Sequence, residues 1–338
     1  MRLVKRFLVV ALVALMIAGS LLYYKLQPSA DMHHFEKYFA QNEIDSAIKP
    51  GQVKVTFFGT STLLFDDGET QLLIDGFFSR PGFYDVVLGE VKSDTSLIRS
   101  MMADHHINRL KAIFTSHSHY DHAMDAPFVA SLTGATVYGS SSTLNICKGA
   151  NLPEAQTSLF EPGKEIALGK FGVTVIKSKH SPPFTLLGKT NATDPRHPDI
   201  TEPLKQPAKV DDYIEGGAYD FYVRYEGHAA LVKASTNYIP GALTQYPADV
   251  IFLGAALLGV QADTFQNNYY LNTVQAINAK TVIPVHWDNF TKPLSQPLEA
   301  LPNLSDDMEK GLNFLVRSTA KDGRTFKILG GSSSIVLF

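Results

Sequence analysis

The segment Thr115-Ser-His-Ser-His-Tyr-Asp-His122 places three imidazoles and a carboxylate within residues 117–122, directly after the short apolar run 112–114. No other feature of the chain constrains its fold as strongly. The apolar run reads as a buried strand, and the polar segment is then the loop that leaves it. In extended backbone His117 and His119 point to one side, so both can reach a single metal ion. Asp121 and His122 are adjacent and diverge, so the same turn can serve a second ion beside the first. Imidazole with one carboxylate suits zinc first, with iron or manganese also compatible. The alternative is a solvated loop that happens to be rich in histidine, and the match of four fixed residues makes chance a poor account of it.

His117-x-His119-x-Asp121-His122 resembles the signature of the metallo-β-lactamase superfamily. The longer form His119-Tyr-Asp-His-Ala-Met-Asp125 is similar to the branch containing ascorbate-phosphate lactonases and N-acyl-phosphatidylethanolamine phospholipase D. The resemblance implies an α+β fold, a four-layer αββα sandwich with metals at one edge between the two sheets. It also implies a third histidine at the end of a later strand and a last one after a late buried strand. His180 ends the alternating run 173–180, and His286 follows the apolar run 281–285 in Thr281-Val-Ile-Pro-Val-His286-Trp-Asp. Either histidine alone would more often be structural; each stands where the family pattern places a ligand. The expected metal ligands are His117, His119 and His180 at one ion, and Asp121, His122 and His286 at the other. Asp121 and His286 are also expected to be catalytic, Asp121 orienting a water or carrying a proton.

One position departs from the pattern. The family has a strand ending in Gly-Asp, whose aspartate bridges the metals; here Ala229-Ala-Leu-Val-Lys-Ala-Ser235 puts Ser235 at that place. A neutral hydroxyl is a weak ligand and removes a negative charge from between two cations. Two zinc ions are expected, the second held more weakly, and one subclass of metallo-β-lactamases resembles this ligand set. Such ions lower the pKa of a bound water to give a zinc-bound hydroxide, and polarise a carbonyl or phosphoryl oxygen. Asp75 and Asp125 are candidates for supporting the ligands from behind. Lys233, Asn237 and Asp288 are candidates for substrate contact.

Arg2, Lys5 and Arg6 precede an uncharged apolar run over residues 7–24. Residues 1–26 therefore read as a transmembrane or signal helix. An uncleaved anchor is favoured, because apolar residues continue past the small-residue site Ala18-Gly-Ser20. The positive cluster would keep the N-terminus in the cytoplasm, making a single-pass inner-membrane protein with its catalytic domain on the periplasmic or outer side. Residues 27–50 read as a polar connector that spaces this domain from the membrane. Residues 51–338 read as one metallo-β-lactamase-fold catalytic domain, since no Pro/Ser-rich linker divides them.

Strand patterns are expected at 53–58, 62–66 and 71–75 as an antiparallel meander, then at 173–177, 218–225, 229–233, 250–253 and 281–285. Helices are expected at 96–110, 125–132, 263–279 and 305–316. Residues 181–217, with Pro182, Pro183, Pro195, Pro198, Pro203 and Pro207, form a long loop based at the site: a lid or binding loop, or else a variable insertion. Phe184, Leu186 and Leu187 are its expected apolar contacts. With 30 basic and 33 acidic residues and no basic run, nucleic acid is not an expected partner. The lone Cys147 excludes an internal disulfide and a cysteine-based zinc site, and reads as a small buried apolar residue.

These observations point to a metal-dependent hydrolase acting on an ester, lactone or phosphodiester in a small-molecule or lipid-derived substrate. β-Lactam hydrolysis is an alternative, weakened because His122-Ala-Met-Asp lacks the Gly-Gly usual in those enzymes. A non-catalytic metal-binding envelope protein is another, with Ser235 as the mark of lost activity. A mononuclear iron oxidoreductase using only the three-histidine site is a third.

Overall fold

The apolar N-terminal run folds as one helix, α1 (Arg2–Leu26). Within it Lys5–Leu26 is long and apolar enough to cross a membrane, and no residue of its most apolar window is buried against the rest of the chain. A signal sequence and a membrane anchor share these properties. The computed structural model describes residues 2–183, 185–186, 189–190 and 196–338. Phe184, Leu187 and the side chain of Leu186, expected above as loop contacts, lie outside the described residues.

Strands β1 (Val53–Phe57), β2 (Leu63–Asp66) and β3 (Gln71–Ile74) form the antiparallel meander expected from their patterns. From β3 the sheet continues in parallel through β4 (Leu110–Phe114), β5 (Thr136–Gly139) and β6 (Thr157–Leu159). The crossovers carry α2 (Phe83–Leu88) and α3 (Thr95–Asp104), then α4 (Tyr120–Ala123) and α5 (Ala126–Thr133), then α6 (Ser141–Gly149). The second sheet opens with β7 (Glu165–Leu168) and β8 (Phe171–Lys177). A small hairpin, β9 (Thr185–Leu186) and β10 (Lys189–Thr190), interrupts it. It resumes with β11 (Tyr219–Tyr225) and β12 (His228–Lys233), antiparallel. Then β13 (Val250–Gly254), β14 (Thr281–Val285) and β15 (Thr325–Phe326) follow in parallel, linked through α7 (Asp263–Tyr270) and α8 (Met308–Lys321). The last strand, β16 (Ser333–Leu337), returns to the first sheet beside β1.

Alternation along the strands makes the layers. Phe57, Leu63, Phe65, Ile74 and Phe114 face the second sheet, and Phe65 meets Phe252 and Phe114 meets Phe221 with ring centroids 5.9 and 5.6 Å apart. Their alternates Leu64, Leu73, Ile113 and Val137 turn the other way, onto Ile98 and Met101 of α3 and Val129 and Ala130 of α5. Strand β13 is buried throughout, as a parallel strand covered on both faces must be. The order is helices, sheet, sheet, helices.

Three helices end elsewhere than their patterns imply. The helix expected over 96–110 stops at Asp104, because His106 adopts a left-handed conformation (φ +52) and Leu110 is already in β4. The one expected over 263–279 is helical only to Tyr270 and then widens into a π-turn, Leu271–Gln275. The last begins at Met308, where the Asp307 carboxylate accepts from the Lys310 N–H at 3.0 Å. Strands β5, β6, β7, β15 and β16 were not foreseen.

Residues 27–50 are not a free spacer. Asp31 caps a 3₁₀ turn, Met32–Tyr38, whose Phe35 is 2% exposed and joins the main core. Ser29 donates twice to the Leu301 carbonyl, Ala40 to Ile328 and Glu43 to Ser334. One aromatic in a polar stretch and pairing to distant residues hold the segment on the domain. The described part of the proline-rich loop, 196–217, is likewise packed: Ile200 and Tyr213 are buried beside Tyr120 and Ile146, and Val91 bridges Ala208.

Phe35→Ala should lower the unfolding free energy of the full chain by about 3–5 kcal/mol. Denaturant titration measures this; a change below about 1 kcal/mol would restore the spacer reading.

Candidate metal centre

The loop that leaves β4 at Phe114 carries His117 and His119, and a one-turn helix follows at once. His119 is its N-cap residue, and Asp121 and His122 lie in its first turn. His180 stands just beyond β8; the Asn237 side-chain amide donates to its carbonyl at 2.7 Å, and its Nδ1 faces the Ser181 carbonyl at 3.1 Å. His286 directly follows β14 in a left-handed conformation (φ +57), its N–H donating to the Thr60 carbonyl. All six predicted residues therefore come from the loops and the one-turn helix at one edge of the sandwich.

They gather as two trios. In each, His117, His119 and His180, and Asp121, His122 and His286, the ligand atoms lie within 4.8 Å of one another. His117 Nε2 is 3.2 Å from His119 Nδ1. Asp121 Oδ2 is 3.4 Å from His122 Nε2 and 3.3 Å from His286 Nε2. The rings of His117 and His122 approach to 3.9 Å between centroids and join the trios. Ser235 is buried after β12, and the two trios share no carboxylate among the described residues.

The electrostatics of the trios differ. Burial, reinforced by the neighbouring imidazoles, holds His117 and His180 well below the usual histidine range, and burial takes His119 down to about 4. These three are neutral near pH 7, with lone pairs available to a cation. In the second trio burial opposes charge, but mutual attraction wins. His122 and His286 hold the Asp121 carboxyl well below its ordinary value. Despite its burial, His122 is pushed up to about 10 by Asp121 and Asp75. Its Nε2 is buried and makes no hydrogen bond among the described residues. A cation between Asp121, His122 and His286 would take the place of that proton, so both donor sets fit a metal of the imidazole–carboxylate type.

Asp75 is the main support. The Ser116 N–H donates to its Oδ1 at 2.7 Å, the hydroxyls of Ser61 and Ser116 donate to Oδ2, and His122 Nδ1 lies 2.8 Å from Oδ2. This fixes the tautomer that presents His122 Nε2 to the site. Asp125 is buried but accepts from the N–H groups of Phe78 and Ser79 and the Ser79 hydroxyl, pinning the loop after β3 rather than touching a ligand.

The three candidates for substrate contact are engaged elsewhere. Lys233 is buried against Asp220 at 3.0 Å and donates to the Ser178 hydroxyl. Asp288 is buried in an ion pair with Arg80 and accepts from the Thr60 N–H at 2.8 Å. Asn237 lines a cavity of about 370 Å³ beside His180, but its amide already holds the His180 carbonyl. Lys179, Glu215 and Tyr219 line the same cavity. Ser61, Arg80 and Asp220 were not anticipated; Arg80 meets Asp288 far along the chain, whereas Ser61 and Asp220 meet Asp75 and Lys233 on nearby strands, pairings that show only once the strands are aligned.

Residues 70–287 match the family described as the beta-lactamase superfamily domain. The UPF0173 metal-dependent hydrolase of Myxococcus xanthus (strain DK1622) is 27% identical over 224 residues, 63% of this chain and 64% of that protein. The chain spans less than two thirds of each curated relative it matches, from 32% to 64%. Among solved structures, Igni18, a metallo hydrolase from the archaeon Ignicoccus hospitalis, superposes with a TM-score of 0.53 at 16% identity, covering 85% of this chain and 99% of that one. The metallo-beta-lactamase fold protein YhfI from Bacillus subtilis gives 0.50 at 16% identity, over 85% and 99%. These likenesses show the fold.

Asp75→Asn removes the charge behind His122 while keeping its shape. Metal affinity at the second trio should fall about 10- to 100-fold, read by chelator competition, with the first trio little changed. Acid should act on the first trio last: retention of its ion should fail only as pH drops towards about 4, where His119 takes up a proton. Loss of that ion already at the ordinary histidine pKa of about 6.5 would contradict the desolvated geometry.

Proposed function

The chain belongs to the beta-lactamase superfamily, and on that premise we propose that it is a metal-dependent hydrolase with two zinc ions, the second more weakly held. The observation that carries this reading is the pair of adjoining trios, His117, His119, His180 and Asp121, His122, His286. Ions bound there would lower the pKa of a water and polarise the ester, lactone or phosphodiester under attack. Asp121, held ionised by His122 and His286, would orient that water and take its proton. His286 faces Asp121 from β14 and keeps the carboxylate in place. Asp75 keeps His122 in one tautomer, and Asn237 fixes the backbone at His180. The cavity beside His180, with Lys179 and Tyr219 in its wall, is where the substrate would lie.

The form His119-Tyr-Asp-His-Ala-Met-Asp125 supports a lactonase- or phosphodiesterase-like branch. The exposed apolar α1 supports a membrane-anchored protein with an outer catalytic domain, and hence a lipid-derived substrate ahead of a freely soluble one.

Zinc content by plasma mass spectrometry on the detergent-solubilised full chain should be about two per chain, falling to about one in His286→Ala. Turnover of p-nitrophenyl esters, lactones or bis(p-nitrophenyl) phosphate should stop on chelation and return with zinc. A single ion unaffected by the substitution would overturn the two-metal reading in favour of a mononuclear site. Full metal content with no turnover of any of these substrates would favour a binding role.

A further inference from the structure

The path of the chain places the end of α1 at the metal edge. Strand β14 runs towards His286, and β15 is parallel to it, so α8 must start at the edge where β14 ends. Ser29, three residues beyond α1, caps that start: its hydroxyl accepts from the Met308 N–H at 3.0 Å and its carbonyl from the Glu309 N–H at 3.2 Å. Pro28 is bridged to Pro302, and Asn303 donates to the Gln27 carbonyl at 3.1 Å. Leu301 in turn donates to the carbonyl of Trp287, the residue after His286, at 3.0 Å. Two strand spacings, on the order of 10 Å, therefore separate Ser29, three residues past the end of α1, from Trp287, the residue after His286.

The same edge carries nearly all the exposed apolar side chains of the domain. Outside α1, five large hydrophobic residues are exposed among the described residues: Tyr84, Leu88, Leu159, Val260 and Leu271. Tyr84 and Leu88, 76% and 80% exposed, lie on α2 in the crossover leaving β3 at the metal edge. Val260, 54% exposed, follows β13 at that edge, and Leu159 ends β6, which is parallel to β4 and β5. Only Leu271 sits part-way down a return crossover.

We propose that the metal edge is the face turned to the lipid bilayer, with α1 as a docked span rather than a flexible tether. Tyr84, Leu88 and Val260 would then rest in the interface, and the site would open towards it. The occupant is a bilayer because the span that would cross one leaves from this edge, uncovered by the domain. The consequence, that substrate arrives from the membrane, rests on the hydrolase reading; the orientation does not.

The test uses the full chain in nanodiscs of phosphatidylethanolamine and phosphatidylglycerol. Cysteine is introduced at Leu88, at Val260, and at the exposed Lys321, which ends α8 at the opposite edge. A nitrobenzoxadiazole label will be selective, since Cys147 is buried and its thiol is pushed up to about 12 by burial. Nitroxide-bearing lipids should quench labels at Leu88→Cys and Val260→Cys and leave Lys321→Cys bright, with intact mass showing α1 retained. Equal quenching at all three, or quenching only at Lys321→Cys, overturns the proposal. So does a chain shortened near Ser20 in the soluble fraction. Labels shielded without lipid quenching, in a manner that depends on protein concentration, would assign the face to a second copy and also overturn it. Hydrolysis of p-nitrophenyl esters, lactones and bis(p-nitrophenyl) phosphate by the same samples keeps the two readings apart: quenching without turnover of any of them defeats the hydrolase reading alone, and turnover without quenching defeats only the orientation.

Discussion

The buried carboxylate of Asp75 is the interaction on which the rest of the site depends. It is fully shielded from solvent, where an unpaired charge would be costly, and it is met by two hydroxyls, a backbone N–H and an imidazole. Those partners belong to three places: Ser61 between β1 and β2, Ser116 after β4, and His122 on α4. One anion therefore ties together the strand ends from which the ligand loop departs. Asp75 itself is held left-handed (φ +59), as is His286 (φ +57), a conformation that side chains bear only where the surroundings impose it. Two of the left-handed residues thus stand within the site, one behind His122 and one in the second trio.

Two further buried ion pairs carry the scaffold outwards from that centre. Arg80 with Asp288 joins the loop after β3 to the loop after β14, and Asp288 also grips the Thr60 N–H. The Thr60 carbonyl receives the His286 N–H, so one residue couples the pair to a ligand. Lys233 with Asp220 lies across β11 and β12 and reaches Ser178, close to His180. Buried pairs add little net stability when compared with well-packed apolar residues, but breaking one leaves a charge stranded. Their role here is to fix loop geometry, which is why charged residues near the motif are not free to meet a substrate.

The parts of this arrangement legible in the sequence are those written locally. A dense histidine motif follows an apolar strand, and His180 and His286 each follow a strand of clear pattern, so all six members of the two trios could be named as candidate ligands and the meander of β1 to β3 placed. What escaped needed a partner far away. Strand β16 is recognisable only through its pairing with β1, and Phe35 is a lone aromatic in a polar stretch whose burial depends on the main core. The same holds for Arg80, whose partner lies more than 200 residues on. Helix ends failed for a different reason: His106 turns left-handed and the segment after Tyr270 widens, and neither is marked by proline or glycine.

The two trios hold a single carboxylate between them, that of Asp121. The first trio offers three neutral imidazoles, and the second offers one carboxylate, Asp121, with Asp75 behind it. Of the other buried acids near the site, Asp220 and Asp288 are matched by Lys233 and Arg80, and Asp125 is held by the Phe78 and Ser79 N–H groups. A pair of divalent cations would therefore be countered by only two carboxylates, and a bridging aspartate in place of Ser235 would have supplied a third. The positive charge left on such a pair would be felt more strongly in the low local dielectric of the site. Two cations so placed would draw an anionic group more strongly than a neutral one.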